Sequence, residues 1–339
     1  NARGWDENLG VTRTSEVGGS NVIVIESPAS FVSDLIATPT FVSTGQIITV
    51  VMRITNTGNA DAVNVIGVTP TVASGTGQVS LLSSPAPVTI AGGSTYNFTW
   101  TYSATSKGNV QLTASAYGLD ENSGNLIQTG TRTSNNITIQ QPATLIASIN
   151  AYPDPVAVAA TITVLMSVTN TGEVTANAVT PTGFAEIGTT GCWSKLTGPQ
   201  PTNITITAGN TGYFTWTYLA VTTGTLYFTA KAAGRDANSG FDITTTITSQ
   251  SNVVDIMPNY PVLTSWVVVT PNIVNQNQEY TIRMSVSNIG IVNAMNTTTG
   301  LFSGAIGTLL SGPVPNSADI PVGGYQEYIL PEDKLILSA

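Results

Sequence analysis

Apolar side chains alternate with polar ones along much of this chain, and this alternation is typical of β-strands. From Ile48 to Ile54 every second residue is apolar, the turn Asn56-Thr57-Gly58 follows, and a second short apolar run begins at Ala62. A period of two places the apolar side chains on one face of a strand. The stretch Ile48–Val65 therefore predicts a strand, a turn and a second strand.

The strand-turn-strand pattern returns twice, at Ile162–Val179 and at Tyr280–Thr297. Its asparagine, at positions 56, 170 and 288, recurs 114 and 118 residues apart. A period of this length corresponds to a whole domain rather than to one unit of a solenoid. We therefore predict four segments: 1–28, the last strand of a preceding repeat or a donor strand; 29–141, repeat 1; 142–257, repeat 2; and 258–339, an incomplete repeat 3.

The strand Tyr96–Tyr102 is the most regular in the sequence. Phe98, Trp100 and Tyr102 should face the core, while the polar residues between them face outward. Repeat 2 has the same aromatic strand, with Trp216 in the place of Trp100. Because each repeat has about seven such strands and no convincing amphipathic helix, we predict an all-β chain of tandem immunoglobulin-like β-sandwich domains. Short proline-containing links between the repeats favour an elongated rod.

The two ends of the sequence predict complementary parts of one domain. Residues 1–28 match the end of a repeat, and 258–339 match a repeat without its last strand. Strand donation between neighbouring copies would supply what each lacks, with Val22, Ile23, Val24 and Ile25 as the candidate donor. Alternatively, flanking repeats of a longer tandem-repeat polypeptide supply both parts.

Charged residues are sparse, at 9% of the 339 residues, compared with roughly 25% in average proteins. The net charge is −9 and there is no basic cluster, which argues against nucleic acid as a partner. No apolar run approaches the ~20 residues of a membrane-spanning helix. A surface rich in Ser, Thr, Asn and Gly suits glycans or packing against copies of the same chain, so we expect an extracellular or cell-surface protein.

Enzymatic activity is not expected. The chain has no histidine, so Ser-His-Asp and Cys-His arrangements cannot be built. The neighbouring carboxylates Glu332 and Asp333 point to opposite faces of a strand, unlike a glycosidase pair. We therefore predict no catalytic residues and no cofactor. Cys192 is the single cysteine, and either an intermolecular disulfide or a buried free thiol is compatible with it.

One turn is a weak candidate for Ca²⁺ binding. Asp120, Glu121 and Asn122 could coordinate a cation through carboxylate and amide oxygens. The same residue types also form ordinary turns through local hydrogen bonds. In repeat 2, Ala237 stands in the place of Glu121, which removes a ligand and favours the ordinary turn.

Four Asn-x-Thr sequons are candidates for N-glycosylation, at Asn97, Asn136, Asn203 and Asn296. Asn97 lies on the predicted outward face of its strand, where a glycan would fit. In a chain this rich in Asn and Thr, sequons also arise by chance, so both explanations remain open.

The repeated motif resembles a known family. Asn56, Gly58, Ala62 and Val65, followed by Gly92-Gly93, match the core and the later glycine turn of the cell-adhesion-related (CARDB-like) and neighbouring immunoglobulin-like repeats of bacterial and archaeal surface proteins. Repeat 2 has the equivalent residues Asn170, Gly172, Ala176 and Val179, and repeat 3 has Asn288, Gly290 and Ala294. The resemblance implies β-sandwich modules in stalks, adhesins or envelope components, and it implies no catalytic residues.

Two functions are compatible with these observations. The first is a non-enzymatic structural protein of an extracellular filament, sheath or S-layer-like array, whose partners are copies of itself or flanking repeats. The alternative is an adhesion module, glycan-binding module or spacer of a larger cell-surface protein. Trp5, Trp193 and Trp266 are the candidate glycan-binding aromatics, because Trp100 and Trp216 are expected in the core.

Overall fold

The computed structural model describes residues 1–275, 278–300, 308–309 and 312–334, with 308–309 and 331–334 described by their backbone alone. Every regular element among these residues is a β-strand, which confirms the predicted all-β class. Within the same residues there is no helix that could cross a membrane. The chain divides into two compact units, 1–140 and 141–339, and the second unit contains both repeat 2 and repeat 3.

The first unit consists of an N-terminal hairpin and repeat 1. The hairpin strands are β1 (Arg3–Asp6) and β2 (Val11–Thr14). The strands of repeat 1 are β3 (Phe31–Thr38), β4 (Phe41–Ser43), β5 (Ile47–Asn56), β6 (Ala62–Gly67), β7 (Thr71–Gly75), β8 (Gln78–Ser83), β9 (Val88–Ile90), β10 (Thr95–Ser106), β11 (Gly108–Ala114), β12 (Ala116–Asp120), β13 (Leu126–Gln128), β14 (Arg132–Thr133) and β15 (Ile137–Gln140).

Repeat 1 has two layers of strands. One layer is the antiparallel sheet β3-β5-β10-β8. The other contains the sheets β13-β12-β6-β9 and β14-β11-β15-β4, with β7 beside β11. The last strand, β15, pairs antiparallel with β11 and parallel with β4, so it lies between the two.

The second unit contains the strands of repeats 2 and 3. In repeat 2 they are β16 (Leu145–Tyr152), β17 (Val156–Ala157), β18 (Thr161–Asn170), β19 (Ala176–Gly188), β20 (Trp193–Gln200), β21 (Ile204–Ile206), β22 (Thr211–Ala220), β23 (Gly224–Asp236), β24 (Asp242–Thr244), β25 (Ser249–Gln250) and β26 (Val254–Met257). In repeat 3 they are β27 (Leu263–Thr270), β28 (Glu279–Asn288), β29 (Ala294–Thr297), β30 (Thr308–Leu309), β31 (Ala318–Ile320) and β32 (Tyr325–Lys334).

Repeat 2 has the same arrangement as repeat 1. Its sheets are β16-β18-β22-β20 and β17-β26-β23-β19-β21, with β24 and β25 beside β23. The long strand β23 is continuous where repeat 1 has β11 and β12. Its last strand, β26, pairs antiparallel with β23 and parallel with β17, as β15 does with its own neighbours.

The core of each closed repeat is built around the predicted aromatic strand. Phe98, Trp100 and Tyr102 of β10 are buried, while the alternate residues Asn97 and Thr99 are exposed. This confirms the predicted faces of the strand. In repeat 2 the corresponding Trp216 is also buried, as predicted. Buried aromatic side chains each remove roughly 150–250 Å² from water, so they contribute much of the stabilisation of these small domains.

Repeat 3 leaves one edge of its larger sheet, the strand β27, uncovered. Its sheets are β27-β28-β32-β30 and β29-β31, and among the described residues it has no counterpart of β23 or β26. The strand β27 is exposed along its whole length, whereas the equivalent strands β3 and β16 bury several residues. Leu263, Val267 and Val269 occupy the positions that face the core in repeats 1 and 2, yet they are 43%, 48% and 41% exposed.

The segment between the N-terminal hairpin and β3 has no strand assignment in this chain. A strand is predicted at Ser20–Ile25 from its match to β15 and β26. Strands depend on pairing with a neighbour for their stability. No described strand pairs with this segment, and the side chains from Val22 to Ile25 are 75–91% exposed.

Candidate functional site

The asparagine of the repeated motif is a buried hydrogen-bonding junction. Asn56 is the last residue of β5, and its side chain is fully buried. Its Oδ1 accepts hydrogen bonds from the N–H groups of Ser30 and Gly58, each at 3.1 Å. Its Nδ2 donates to the carbonyl oxygens of Ala60, at 2.8 Å, and Ile90, at 3.1 Å. These four bonds use the whole capacity of the amide, which leaves none for a ligand.

Repeats 2 and 3 contain the same junction. Asn170 accepts from Thr144 and Gly172 and donates to Val174 and Ile206. Asn288 accepts from Gly290 and donates to Val292 and Ile320. The asparagine in the motif is therefore accounted for by the fold.

The glycine of the motif is needed for close backbone contact. A Cβ atom added at Gly58 would lie 2.0 Å from the carbonyl oxygen of Pro28, and one at Gly172 would lie 2.1 Å from that of Pro142. Carbon and oxygen atoms cannot approach so closely. The glycine thus allows the turn to pack against the segment that enters the repeat.

The candidate Ca²⁺ ligand Asp120 is saturated by the protein itself. Its Oδ2 accepts a 2.8 Å hydrogen bond from the N–H of Ala29, and its Oδ1 accepts two 2.7 Å bonds from the N–H and hydroxyl of Ser123. The bond from Ala29, followed by those from Ser123, lowers the pKa of the Asp120 carboxyl below its usual value. This geometry is that of an Asp turn closed by local hydrogen bonds.

The other two residues of the candidate cation site are exposed on the same turn. The amide of Asn122 donates to the Glu26 carboxylate at 3.0 Å, and the N–H of Glu121 donates to the carbonyl of Asp61. Asp236 in repeat 2 has the same turn, with its Oδ2 accepting from Ala143 at 2.8 Å. Among the described residues no three His, Cys, Asp or Glu side chains cluster as metal ligands would.

A second asparagine fixes the last strand of each closed repeat to the first. Asn135, just before β15, accepts a 2.8 Å hydrogen bond from the N–H of Ala37 and donates a 3.0 Å bond to the carbonyl of the same residue. In repeat 2, Asn252 accepts a 2.9 Å bond from the N–H of Ala151. We call this contact the asparagine clamp. Neither Asn135 nor Asn252 is among the site residues predicted from the sequence.

The serine before each clamp asparagine also binds backbone. The Ser134 hydroxyl accepts from the N–H of Leu112 at 3.0 Å, and the Ser251 hydroxyl accepts from the N–H of Phe228 at the same distance. Both serines are buried. The pair Ser-Asn therefore joins the start of the last strand to β11 and β3 in repeat 1, and to β23 and β16 in repeat 2. The repeated dipeptide is the sequence signal that marks the clamp.

All four sequon asparagines are exposed. Asn97 lies on the outer face of β10 opposite Arg53, and Asn136 precedes β15 with its amide 3.5 Å from the Thr138 hydroxyl. Asn203 and Asn296 lie in repeats 2 and 3. Each side chain is therefore accessible to a modifying enzyme, and their use as glycosylation sites remains a prediction.

The candidate glycan-binding tryptophans differ in their exposure. Trp5 is 67% exposed and Trp266 is 65% exposed, whereas Trp193 packs partly buried against the core of repeat 2. Trp266 lies on the outer face of β27 at a small cavity of about 130 Å³, which Arg283 and Glu327 also line. These two charged side chains form an ion pair at 3.7 Å. The structure therefore favours Trp266 over Trp193 as an aromatic contact surface.

The buried titratable side chains Cys192 and Tyr102 are part of the packed interiors of repeats 2 and 1. Cys192 is a buried free thiol whose pKa is raised by burial. Burial also raises the pKa of Tyr102 to about 12, and its hydroxyl donates to the carbonyl of Pro70 at 2.6 Å. The side chains of Glu332 and Asp333 lie outside the described residues.

Comparisons with known proteins identify no family for this chain. No family model matches it, and no curated protein matches it. The resemblance to CARDB-like repeats therefore rests on the motif.

Solved structures with some similarity include E. coli alpha-2-macroglobulin (10% identity, TM-score 0.27), red sea bream transglutaminase (12%, 0.21) and the C-terminal domain of the Streptococcus agalactiae AgI/II polypeptide BspA (8%, 0.24). The matches cover 74%, 67% and 66% of this chain, and 18%, 31% and 99% of the respective known chains. At these TM-scores nothing about activity follows from them.

Proposed function

We propose that this chain is a non-enzymatic structural protein of an extracellular assembly, such as a filament, a sheath or an S-layer-like lattice. One observation carries the proposal. The chain exposes the apolar segment Val22–Ile25, and it also exposes Val267 and Val269 on β27, whose counterparts are buried in repeats 1 and 2. Exposed strand segments and uncovered sheets are the surfaces through which β proteins add strands to one another.

The use of polar residues inside the repeats supports a structural role. The repeated asparagines and the turn aspartates use their hydrogen bonds to hold strands and turns together. The polar residues that recur in each repeat therefore stabilise the fold. We propose that the repeats are CARDB-like modules and that they follow one another as a rod, which the short proline-containing links support.

An extracellular location is part of the proposal. The sparse charge, with 10 Lys and Arg and 19 Asp and Glu in 339 residues, suits a surface that packs closely against copies of itself. The exposed sequon asparagines support a glycoprotein. The partners we propose are copies of the same chain or flanking repeats.

Electron microscopy of the purified chain tests the proposed function. We expect regular fibres or lattices that increase with protein concentration. Single monodisperse particles at every concentration would contradict a structural assembly. Measuring particle widths over a dilution series separates ordered assembly from non-specific aggregation, because ordered fibres have a constant width.

An adhesion or glycan-binding module is the second candidate, and exposed Trp266 favours it. A tryptophan face beside the Arg283–Glu327 pair could contact a sugar ring through its apolar face and its hydroxyls through the charged groups. Binding of the chain to a glycan array, lost in Trp266→Ala and retained in Trp193→Ala, would support this function. Equal binding by both variants would contradict a site at Trp266.

A further inference from the structure

We propose that Ser20–Ile25 of one copy adds to repeat 3 of a second copy as its last strand, with Asn21 forming an asparagine clamp on the backbone of Val269. This inference rests on the proposed function and names the contact through which the assembly forms. The partner is a second copy of this chain.

Repeats 1 and 2 each contain the proposed contact within one domain. The last strands β15 and β26 each lie between an antiparallel neighbour and a parallel one. In repeat 1 the side chains of Ile137 and Ile139 point into the core and are at most 2% exposed. In repeat 2, Val254 and Ile256 occupy the same positions and are at most 3% exposed. The strand position is thus defined twice in the same chain.

The segment Ser20–Ile25 has the residues that this position requires. Ser20 and Asn21 match the buried serine and the clamp asparagine of the two closed repeats. Ile23 and Ile25 match the two inward-facing apolar residues. Ile23 and Ile25 are 82% and 91% exposed, so they face solvent, whereas their counterparts in repeats 1 and 2 fill the core.

Repeat 3 presents the complementary surface in the same register. In repeat 1 the clamp residue Ala37 pairs with Val50, and in repeat 2 Ala151 pairs with Val164. Val50 and Val164 each lie six residues before the motif asparagine of their repeat. Val269 pairs opposite Ile282, again six residues before the motif asparagine. Val269 is therefore the residue whose backbone a clamp asparagine would bind. Within the described part of the chain, no side chain binds it.

The parallel edge beside this position is also open. In repeat 1, β4 follows β3 after the proline at position 39 and pairs in parallel with β15. In repeat 3 the equivalent stretch begins after Pro271, and Ile273 within it is 83% exposed. No strand is assigned to the described residues of this stretch, 271–275. An incoming strand would find no described strand paired with 271–275 and the face of β27 exposed.

Only the segment Ser20–Ile25 takes part in the proposed contact, and the N-terminal hairpin β1–β2 does not. In repeat 1 the turn carboxylate of Asp120 accepts from the N–H of Ala29. The corresponding turn residue at the N-terminus is Asp6, but Pro261 occupies the place of Ala29 in repeat 3 and has no N–H to donate. A six-residue strand is also smaller than the roughly 20–30 residues that one side of a standard interface contributes. We therefore expect reversible association that depends on concentration.

The contact joins different surfaces of two copies, so each copy can bind one neighbour through its donor strand and another through repeat 3, and we expect open chains. Sedimentation velocity of the whole chain over a concentration series measures this. We expect oligomers that lengthen with concentration for the wild type and a monomer for Ile23→Asp/Ile25→Asp. Because both isoleucines are exposed in the single chain, this variant leaves the fold intact, which an unchanged thermal transition would verify.

A matched control uses the residue between them. Val24→Asp places a carboxylate where repeat 2 has Asp255, an outward-facing residue of β26. We expect it to assemble like the wild type. Asn21→Ala tests the clamp alone and should weaken association about tenfold, because it removes two hydrogen bonds to a buried backbone.

A complementation test separates the two surfaces. Val269→Asp blocks the acceptor and keeps the donor, whereas the isoleucine variant blocks the donor and keeps the acceptor. Each should remain monomeric alone, and a mixture of the two should stop at heterodimers. If Val269→Asp perturbs repeat 3, an excess of a peptide spanning 15–27 provides a second test, because it should shorten wild-type oligomers.

The outcomes distinguish this inference from the proposed function. Oligomers of the isoleucine variant equal to those of the wild type would overturn the strand contact and leave a structural assembly standing. A wild-type chain that stays monomeric at all concentrations would overturn both.

Discussion

The backbone N–H of Ala29 donates a 2.8 Å hydrogen bond to the carboxylate of Asp120, which ties the start of repeat 1 to its last hairpin. Because the pKa of Asp120 is lowered in the folded state, its ionised form stabilises the fold above the unfolded Asp pKa of about 3.9. This stabilisation is lost as pH falls through the lower folded pKa. Asp120→Asn should therefore melt at a lower temperature at neutral pH and show a shallower loss of stability below about pH 4.

Thermal unfolding between acidic and neutral pH measures both effects. Asp34→Asn is the control, because Asp34 is exposed on β3 and its substitution should change stability by no more than about 0.5 kcal/mol. Equal melting temperatures for Asp120→Asn and the wild type at neutral pH would refute the role of this bond.

Removing the Asn56 side chain should destabilise repeat 1 strongly. Asn56→Ala removes four hydrogen bonds and leaves buried backbone groups without partners, at a cost of about 3 kcal/mol or more. Urea unfolding measures the change. The exposed neighbour Asn59 provides the comparison, since Asn59→Ala should cost about 0.5 kcal/mol or less. A small effect at both positions would mean that the junction contributes little.

The turn between β4 and β5 differs from its counterpart between β17 and β18 in a way that can be tested. Gly45 has a positive φ of 87°, and the equivalent residue in repeat 2 is Ala159, with a φ of 69°. The N–H groups of both donate to equivalent carbonyls, those of Ala104 and Ala220. A side chain in this left-handed conformation costs about 1–2 kcal/mol.

We therefore expect Ala159→Gly to stabilise repeat 2, by about 0.5–1 kcal/mol once the greater freedom of glycine in the unfolded chain is subtracted. The reciprocal Gly45→Ala should destabilise repeat 1 by about 1 kcal/mol, since open space surrounds Gly45 and only backbone strain acts. Thermal unfolding of both variants checks the opposite signs, and a shift in the same direction would contradict the argument.

The buried phenol of Tyr102 should make the protein sensitive to alkali. Its folded pKa is raised to about 12, so its contribution to stability is fully present below the unfolded pKa of about 10 and is lost as pH rises through about 12. Tyr102→Phe should lose about 1 kcal/mol at neutral pH, from the hydrogen bond to Pro70. Its stability should fall less between pH 10 and 12 than that of the wild type. Tyr96→Phe, on an exposed tyrosine of the same strand, is the control.

The faces of the strands could be predicted from the sequence because alternation reports burial directly. Phe98 and Trp100 follow this rule, and so does Asn56, which continues the phase of the buried positions 48, 50, 52 and 54. Residue type alone favours a turn at Asn56, because asparagine is common in turns. Its phase carried the information that it is buried.

The repeated Ser-Asn dipeptide marks the asparagine clamp, but its binding partner could not be predicted from local pattern. Asn135 binds the backbone of a residue 98 positions earlier, and nothing in the neighbourhood of either residue specifies the other. The same holds for Asp120, whose partner Ala29 lies 91 positions away. Local residue preferences predict a turn at Asp120. They do not predict the hydrogen bond that its Oδ2 accepts from Ala29, which forms only in the folded domain.

The interior position of Cys192 gives this protein a chemical reporter of repeat 2. The thiol is fully buried, and it is the single cysteine of the sequence. A thiol reagent can modify it only when repeat 2 opens, so the rate of labelling measures the opening of one domain while the others remain folded. The stability of repeat 2 can therefore be followed without introducing a further cysteine.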